Sequence, residues 1–238
     1  KLYNATIAMQ LVEEGKLNLD ESIGSYLPAS ITDGLHRLNG TDYTPQITVR
    51  HLLSHTSGLP DWLEDRPKKG MSLVDQVVKK GDRELSLDEI ATLVREQLKP
   101  HFRPQDLTAQ KPGIRYSDTN FILLMAIIEA VTGKALPQVH REMLYEPLGL
   151  KHTYFPGLSE PLEPTPEPMV LRVQGAPIPI PKLMRSMKGM YSTVPDALAF
   201  LRGLVQQAVF KKPETYTMMQ QRWHRFGFPF DAAALRSP

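Results

Sequence analysis

Three groups of residues stand out as able to do chemistry: Lys1, the triplet Tyr116-Ser117-Asp118, and the histidines. An amine, a phenol and a carboxylate are proton carriers, and an imidazole titrates near neutrality. Each also has a plain structural reading. Lys1 would be a solvated terminus, and Tyr116 a half-buried aromatic with its hydroxyl bonded. Asp118 would cap the apolar helix that follows it, its oxygen accepting from the first free N–H groups. His55 lies between Ser54 and Ser57, which suggests a Ser–His pair; its plain reading is a ring that locks backbone groups of a turn. His36, His51, His101, His140, His152 and His224 show no helical His-x-x-x-His or Glu-x-x-His pairing with a third ligand. No metal site and no cofactor are therefore expected. The chain has no cysteine, which removes thiolate metal sites, iron–sulfur clusters and a cysteine nucleophile.

The elements that must position these groups are mostly helical. Leu2, Ala5, Ile7, Ala8, Leu11 and Val12 follow a 3.6-residue period, and Gly15 closes that helix. Asn39-Gly40 marks a turn. Thr48 caps a short helix through Leu53, which ends at Ser57-Gly58-Leu59-Pro60. Residues 61–110 are highly charged and read as a helical insertion, with Ser86 and Glu89 forming a capping box and a lid over a cleft as its suggested role. Trp62 reads as part of its surface. Asp118 to Thr132 is apolar on nearly every side and is expected to be buried. A further helix spans roughly Pro137 to Tyr145. Eight of the 21 prolines fall between Pro156 and Pro181, which predicts a long extended loop. Thr193-Val194-Pro195-Asp196 opens a helix running to about Val209, and nothing obvious follows it.

With 238 residues, 28 Lys+Arg against 26 Asp+Glu and 41% hydrophobic content, the chain reads as an ordinary globule of one large or two small domains. The near-balanced charge gives no reason to expect nucleic acid as a partner. The longest apolar run, Phe121 to Ile128, is far below a membrane span and is followed by Glu129. Nothing fixes a compartment; periplasmic, secreted and cytoplasmic locations all stay open.

Four stretches sharpen this reading. Ile47-Thr48-Val49-Arg50-His51-Leu52-Leu53-Ser54-His55-Thr56-Ser57-Gly58-Leu59-Pro60 is the most specific. The others are Pro112-Gly113-Ile114-Arg115-Tyr116-Ser117-Asp118-Thr119-Asn120-Phe121, the segment Glu146 to Phe155, and Lys188-Gly189-Met190-Tyr191-Ser192-Thr193 with Asp196. In order and spacing they resemble serine hydrolases related to class C β-lactamases, from residue 1 to about 210. The resemblance implies an α+β (β-lactamase/transpeptidase-like) fold in the parent. This chain would be a partial domain over 1–238, mostly α-helical with few short strands, lacking the flanking sheet strands. Apolar surface left by that sheet, notably one side of Leu2–Val12, would be exposed and open to self-association.

The same resemblance implies catalytic roles. Lys1 falls on the lysine of a Ser-x-x-Lys motif, with the nucleophilic serine expected three positions before residue 1. Residues three apart on a helix share a face, so the ammonium would sit beside the serine oxygen. Tyr116 falls on the tyrosine of a Tyr-x-Asn motif, where adjacent ammonium groups would favour phenolate. The third residue is usually Asn; here Asp118 stands in its place, pairs with Lys1 and turns the expectation from β-lactams toward esters and amides. A late Lys-Thr-Gly or His-x-Gly motif is not found: Gly203, His224 and Gly227 lack its context. Met125 also departs from the family, which generally has Gly there, with no evident chemical meaning. For His55 the resemblance implies the structural place in a turn that is also its plain reading. The implied activity is acyl-enzyme hydrolysis of an ester, peptide or β-lactam carbonyl, the chain alone being inactive. The alternatives are a non-catalytic relative binding peptidoglycan-like or acylated ligands, and a helical interaction module.

Overall fold

The structure, a computed structural model, describes residues 1–108, 112–173 and 175–220. Among these residues helices dominate: α1 (Leu2–Glu13), α2 (Ala29–Thr32), α3 (Val49–Leu53), α4 (Leu73–Lys80), α5 (Leu87–Gln97), α6 (Asp118–Thr132), α7 (Leu136–His140), α8 (Glu146–Leu148), α9 (Pro181–Ser186), α10 (Val194–Val205) and α11 (Pro213–Gln220). A single π-helical turn, Arg141–Tyr145, joins α7 to α8. The described strands are two antiparallel hairpins of two-residue strands, β1 (Arg37–Leu38) with β2 (Thr41–Asp42), and β3 (Arg172–Val173) with β4 (Ala176–Pro177). Asn39 and Gly40 turn the first hairpin, both at positive φ, as a two-residue hairpin loop requires. The second lies within the proline-rich loop and is short enough to fit the expected absence of a long helix or interior strand there.

The core forms around α1 and α6. Both have apolar residues on most faces, so each is covered from several sides. Ile7, Ala8, Met9 and Leu11 of α1 are buried against Leu123, Leu124, Ile127 and Ile128 of the same core. This corrects the expectation of an exposed α1: Leu2 is its one large apolar residue left open. Exposed apolar side chains gather instead on α10, at Val194, Leu198, Leu201 and Val205, and on Met169, Val170 and Leu171. Helix α10 also stops at Val205 rather than near Val209, because Gln206 caps it and Gln207 takes a positive φ. Helix α11 had no sequence signal. It is tied to α1 by the Glu13 carboxylate, which accepts from the backbone N–H groups of Lys211 (3.0 Å) and Lys212 (2.9 Å) and from the Thr215 hydroxyl (2.5 Å).

Part of the charged stretch is buried, which corrects the reading of Trp62 as surface. Trp62 is 1% exposed, and Leu63, Leu73, Val77, Ile90 and Val94 join the main core. Helix α5 shows how this happens: Ile90, Ala91 and Val94 are buried while Asp88, Glu89, Arg95 and Glu96 lie off that face. Asp118, read as a helix cap, is instead the first residue of α6; the cap is Ser117, whose hydroxyl oxygen accepts from Thr119 N–H at 3.2 Å. The Asp118 carboxylate is thereby left for other work.

Candidate active site

Two short segments hold the start of α6 in place. In the first, the Ser57–Pro60 turn, Gly58 has φ +75° and a Cβ there would lie 1.9 Å from the Phe102 carbonyl oxygen; only glycine permits that approach. Pro60 C=O accepts from the Ser117 hydroxyl at 2.9 Å and from the Thr119 hydroxyl at 2.6 Å. Beyond it, the buried Asp61 carboxylate accepts from Asp118 N–H at 2.9 Å, and from Leu63 and Glu64 N–H at 2.8 and 3.1 Å.

His55 is the second anchor, and it has positive φ. Its Nδ1 accepts from Ser117 N–H at 3.2 Å and from the Asn120 side-chain amide at 3.0 Å, which fixes the neutral tautomer. The Ser57 hydroxyl donates to Asn120 Oδ1 at 2.6 Å. Burial, with a smaller contribution from the Lys1 charge, pushes the imidazole down to about 4. These contacts are those of a structural ring, and its face backs Tyr116 with centroids 4.8 Å apart.

On this frame the structure brings Lys1, Tyr116 and Asp118 together. Lys1 Nζ forms an ion pair with Asp118 Oδ1, and the Tyr116 hydroxyl donates to the same oxygen at 3.1 Å. The ammonium lies 5.1 Å from the Tyr116 ring centroid and 5.6 Å from that of Phe121, within cation–π range. Burial penalises the Lys1 ammonium, but bonds and charge from Asp118 and Tyr116 outweigh it and hold its pKa above the ordinary lysine value. The Tyr116 phenol is also raised: burial acts first, and the Asp118 carboxylate adds to it against the opposing pull of Lys1. This reverses the expected phenolate. One ammonium already paired with a carboxylate does not ionise a half-buried phenol, so the resting state is Lys1 charged and Tyr116 neutral.

A cavity of about 250 Å³ opens beside the pair, with Trp62, Phe121, Met125 and Phe155 among its lining residues. Among the described residues no group of three or more His, Asp or Glu could hold a metal ion, and no single helix is long and apolar enough to cross a membrane. Gly227 and His224, weighed for the late motif, lie outside the described residues. Sequence reasoning missed Asp61 and Trp62. Asp61 carried no signal beyond its place after Pro60, and Trp62 was obscured by the charges around it.

An amine, a phenol and a carboxylate thus meet at one point of a helical core. The Beta-lactamase family model matches residues 1–234, and the chain belongs to that family. It is 30% identical over 166 residues to an N-acetylmuramyl-L-alanine amidase of Bacillus subtilis, covering 69% of this chain and 33% of the relative. A putative D-alanyl-D-alanine carboxypeptidase of Escherichia coli is 29% identical over 167 residues, covering 69% and 34%. Among solved structures, a D-stereospecific amidohydrolase from Streptomyces superposes with TM-score 0.69 and 26% identity, covering 91% of this chain and 62% of that one. The chain thus spans about a third of the length of those curated relatives. The fold is of the β-lactamase/transpeptidase type, and the described residues are mostly helical with few short strands.

Proposed function

We propose that this chain is part of a serine acyl-hydrolase that acts on ester or amide carbonyls, with its nucleophilic serine three positions before Lys1. The observation that carries the reading is the sharing of one Asp118 oxygen by the Lys1 ammonium and the Tyr116 hydroxyl. A neutral phenol already donating to a carboxylate is set up to relay a proton: it accepts one from the serine while passing its own to Asp118. The serine oxygen then bonds to the carbonyl carbon. As the tetrahedral intermediate collapses, the C–N or C–O bond breaks and the leaving atom takes the proton back through Tyr116. Water enters by the same relay, and its attack releases the acid and restores the serine. Lys1 remains charged throughout, placing positive charge beside the oxygen that loses its proton.

Support for amides over β-lactams comes from two sides. The relatives and the solved structure named above are called amidase, carboxypeptidase and amidohydrolase. Asp118 also holds Lys1 as an ammonium rather than as a free amine base. The test is turnover by the full-length protein of 4-nitrophenyl acetate, a D-amino acid amide and a chromogenic cephalosporin. The reading expects turnover of the ester or the amide well above that of the cephalosporin. Turnover of none of the three, with no serine three residues before Lys1, would replace it with a non-catalytic binding protein.

A further inference from the structure

Asp61 is a buried carboxylate that the proton relay does not use. It is 4% exposed, and its side chain only accepts: Oδ2 from Asp118 N–H at 2.9 Å, Oδ1 from Leu63 and Glu64 N–H at 2.8 and 3.1 Å. Three N–H donors on two oxygens, with nothing donated in return, is the pattern of an ionised carboxyl. Among the described residues no lysine, arginine or histidine forms an ion pair with it. Lys1 is taken by Asp118, and His101 and Arg115 both bind Asp65, whose Oδ2 accepts from Asp61 N–H at 2.8 Å. The Asp61 charge is held instead by backbone N–H groups, one of them the first of α6, where the helix dipole favours an anion.

A bare negative charge on the Asp118 backbone nitrogen acts on the carboxylate of that residue. Burial is the first cause that raises the Asp61 pKa, and the Asp118 charge adds to it against the N–H bonds from Asp118, Leu63 and Glu64. Coulomb repulsion is mutual, so Asp61 repels charge on Asp118 in turn. A repelled carboxylate takes up a proton more readily. The other groups around the two act differently. Glu64 is itself raised, by burial first and then by Asp61 and Asp118. Lys1 and Tyr116 bind Asp118 directly, and His55, pushed down to about 4, is neutral.

We propose that Asp61 is a positioning residue of the relay: it fixes the Asp118 backbone, and its charge makes Asp118 a stronger acceptor for the Tyr116 proton. The proposal rests on the acyl-hydrolase reading above. In the step concerned, the serine proton moves to the Tyr116 oxygen, the phenol O–H bond breaks, and an O–H bond forms on Asp118. Asp61 gains and loses nothing, and acts only through its neighbour.

The test compares the full-length protein with Asp61→Asn and Asp61→Ser, two neutral side chains that keep an oxygen for the N–H groups of the turn. The substrate is 4-nitrophenyl acetate or the D-amino acid amide, whichever is turned over. In both variants the plateau kcat should fall by about three- to tenfold, with KM changed by less than about twofold. The acid limb of kcat should move down by about one pH unit. A merely structural role would move that limb up, because a destabilised protein unfolds at higher pH. A limb that stays or moves up, or failure of both variants to fold by circular dichroism, would overturn the proposal and leave the hydrolase reading standing. Absence of turnover by the wild type would count against the hydrolase reading, and carbon-13 NMR of the Asp118 carboxyl then decides the coupling. A titration midpoint lower by about one pH unit in Asp61→Asn supports it; an unchanged midpoint overturns it.

Discussion

Acid should dismantle the candidate site by protonating two buried rings. His55 is held down to about 4 and His140 to about 3, both chiefly by burial, whereas an unfolded histidine titrates near 6.5. A group whose folded pKa lies below its unfolded value destabilises the fold as pH drops between the two, because only the unfolded chain takes the proton. Between pH 7 and pH 5 each ring then costs about 2 kcal/mol and the pair about 4 kcal/mol. His36 and His51 are lowered by burial too and act with the same sign. For a chain of this size the loss corresponds to a fall in Tm of roughly 8–16 °C. Urea denaturation at pH 7, 6 and 5, followed by circular dichroism, measures it. His55→Asn, which tolerates the left-handed backbone, should be weaker at pH 7 yet lose about 2 kcal/mol of the pH dependence. A stability that changes by less than about 1 kcal/mol over this range would refute the reasoning. The link to function is direct, since a protonated His55 can no longer accept from Ser117 N–H and Asn120, and these fix the start of α6.

Other consequences can be checked separately. Trp62→Ala should cost about 3–5 kcal/mol in thermal or urea unfolding; a loss under about 1 kcal/mol would contradict its place in the core. Gly58→Ala meets both a positive φ and the Phe102 carbonyl, and should destabilise by more than about 2 kcal/mol. Asp118→Asn removes the proposed proton acceptor and should lower kcat for ester hydrolysis by about 10²–10⁴-fold, with the fold retained by circular dichroism. Unchanged kcat in that variant would remove Asp118 from the relay.

Much of this arrangement was legible because local signals agreed with the packing. Thr48 caps α3 as expected, and Ser86 caps α5 in the box with Glu89 that their spacing implies; Gly133 ends α6 in the left-handed conformation. Local patterns cannot report which neighbour a face meets. Trp62 sits among charges in sequence and under the core in space. Asp118 has the chemistry of a cap, but Ser117 is one residue nearer the turn and takes that place. The phenol of Tyr116 differs from the sequence expectation for a related reason: its ionisation depends on the balance of burial, one ammonium and one carboxylate, and their mutual distances set that balance. Met125 is the remaining case, a packing residue by type: its spacing from Asp118 already puts both on one face of α6, but that this face borders a cavity is seen only in the structure.

The central claim is that Lys1, Tyr116 and Asp118 activate a serine just upstream of α1. Its most direct test is to react the full-length protein with a fluorophosphonate and map the adduct by peptide mass spectrometry. The account predicts a single adduct on the serine three residues before Lys1, formed about 10²-fold or more slowly in Tyr116→Phe. An adduct elsewhere, or one whose rate is indifferent to the loss of the phenol, would contradict it.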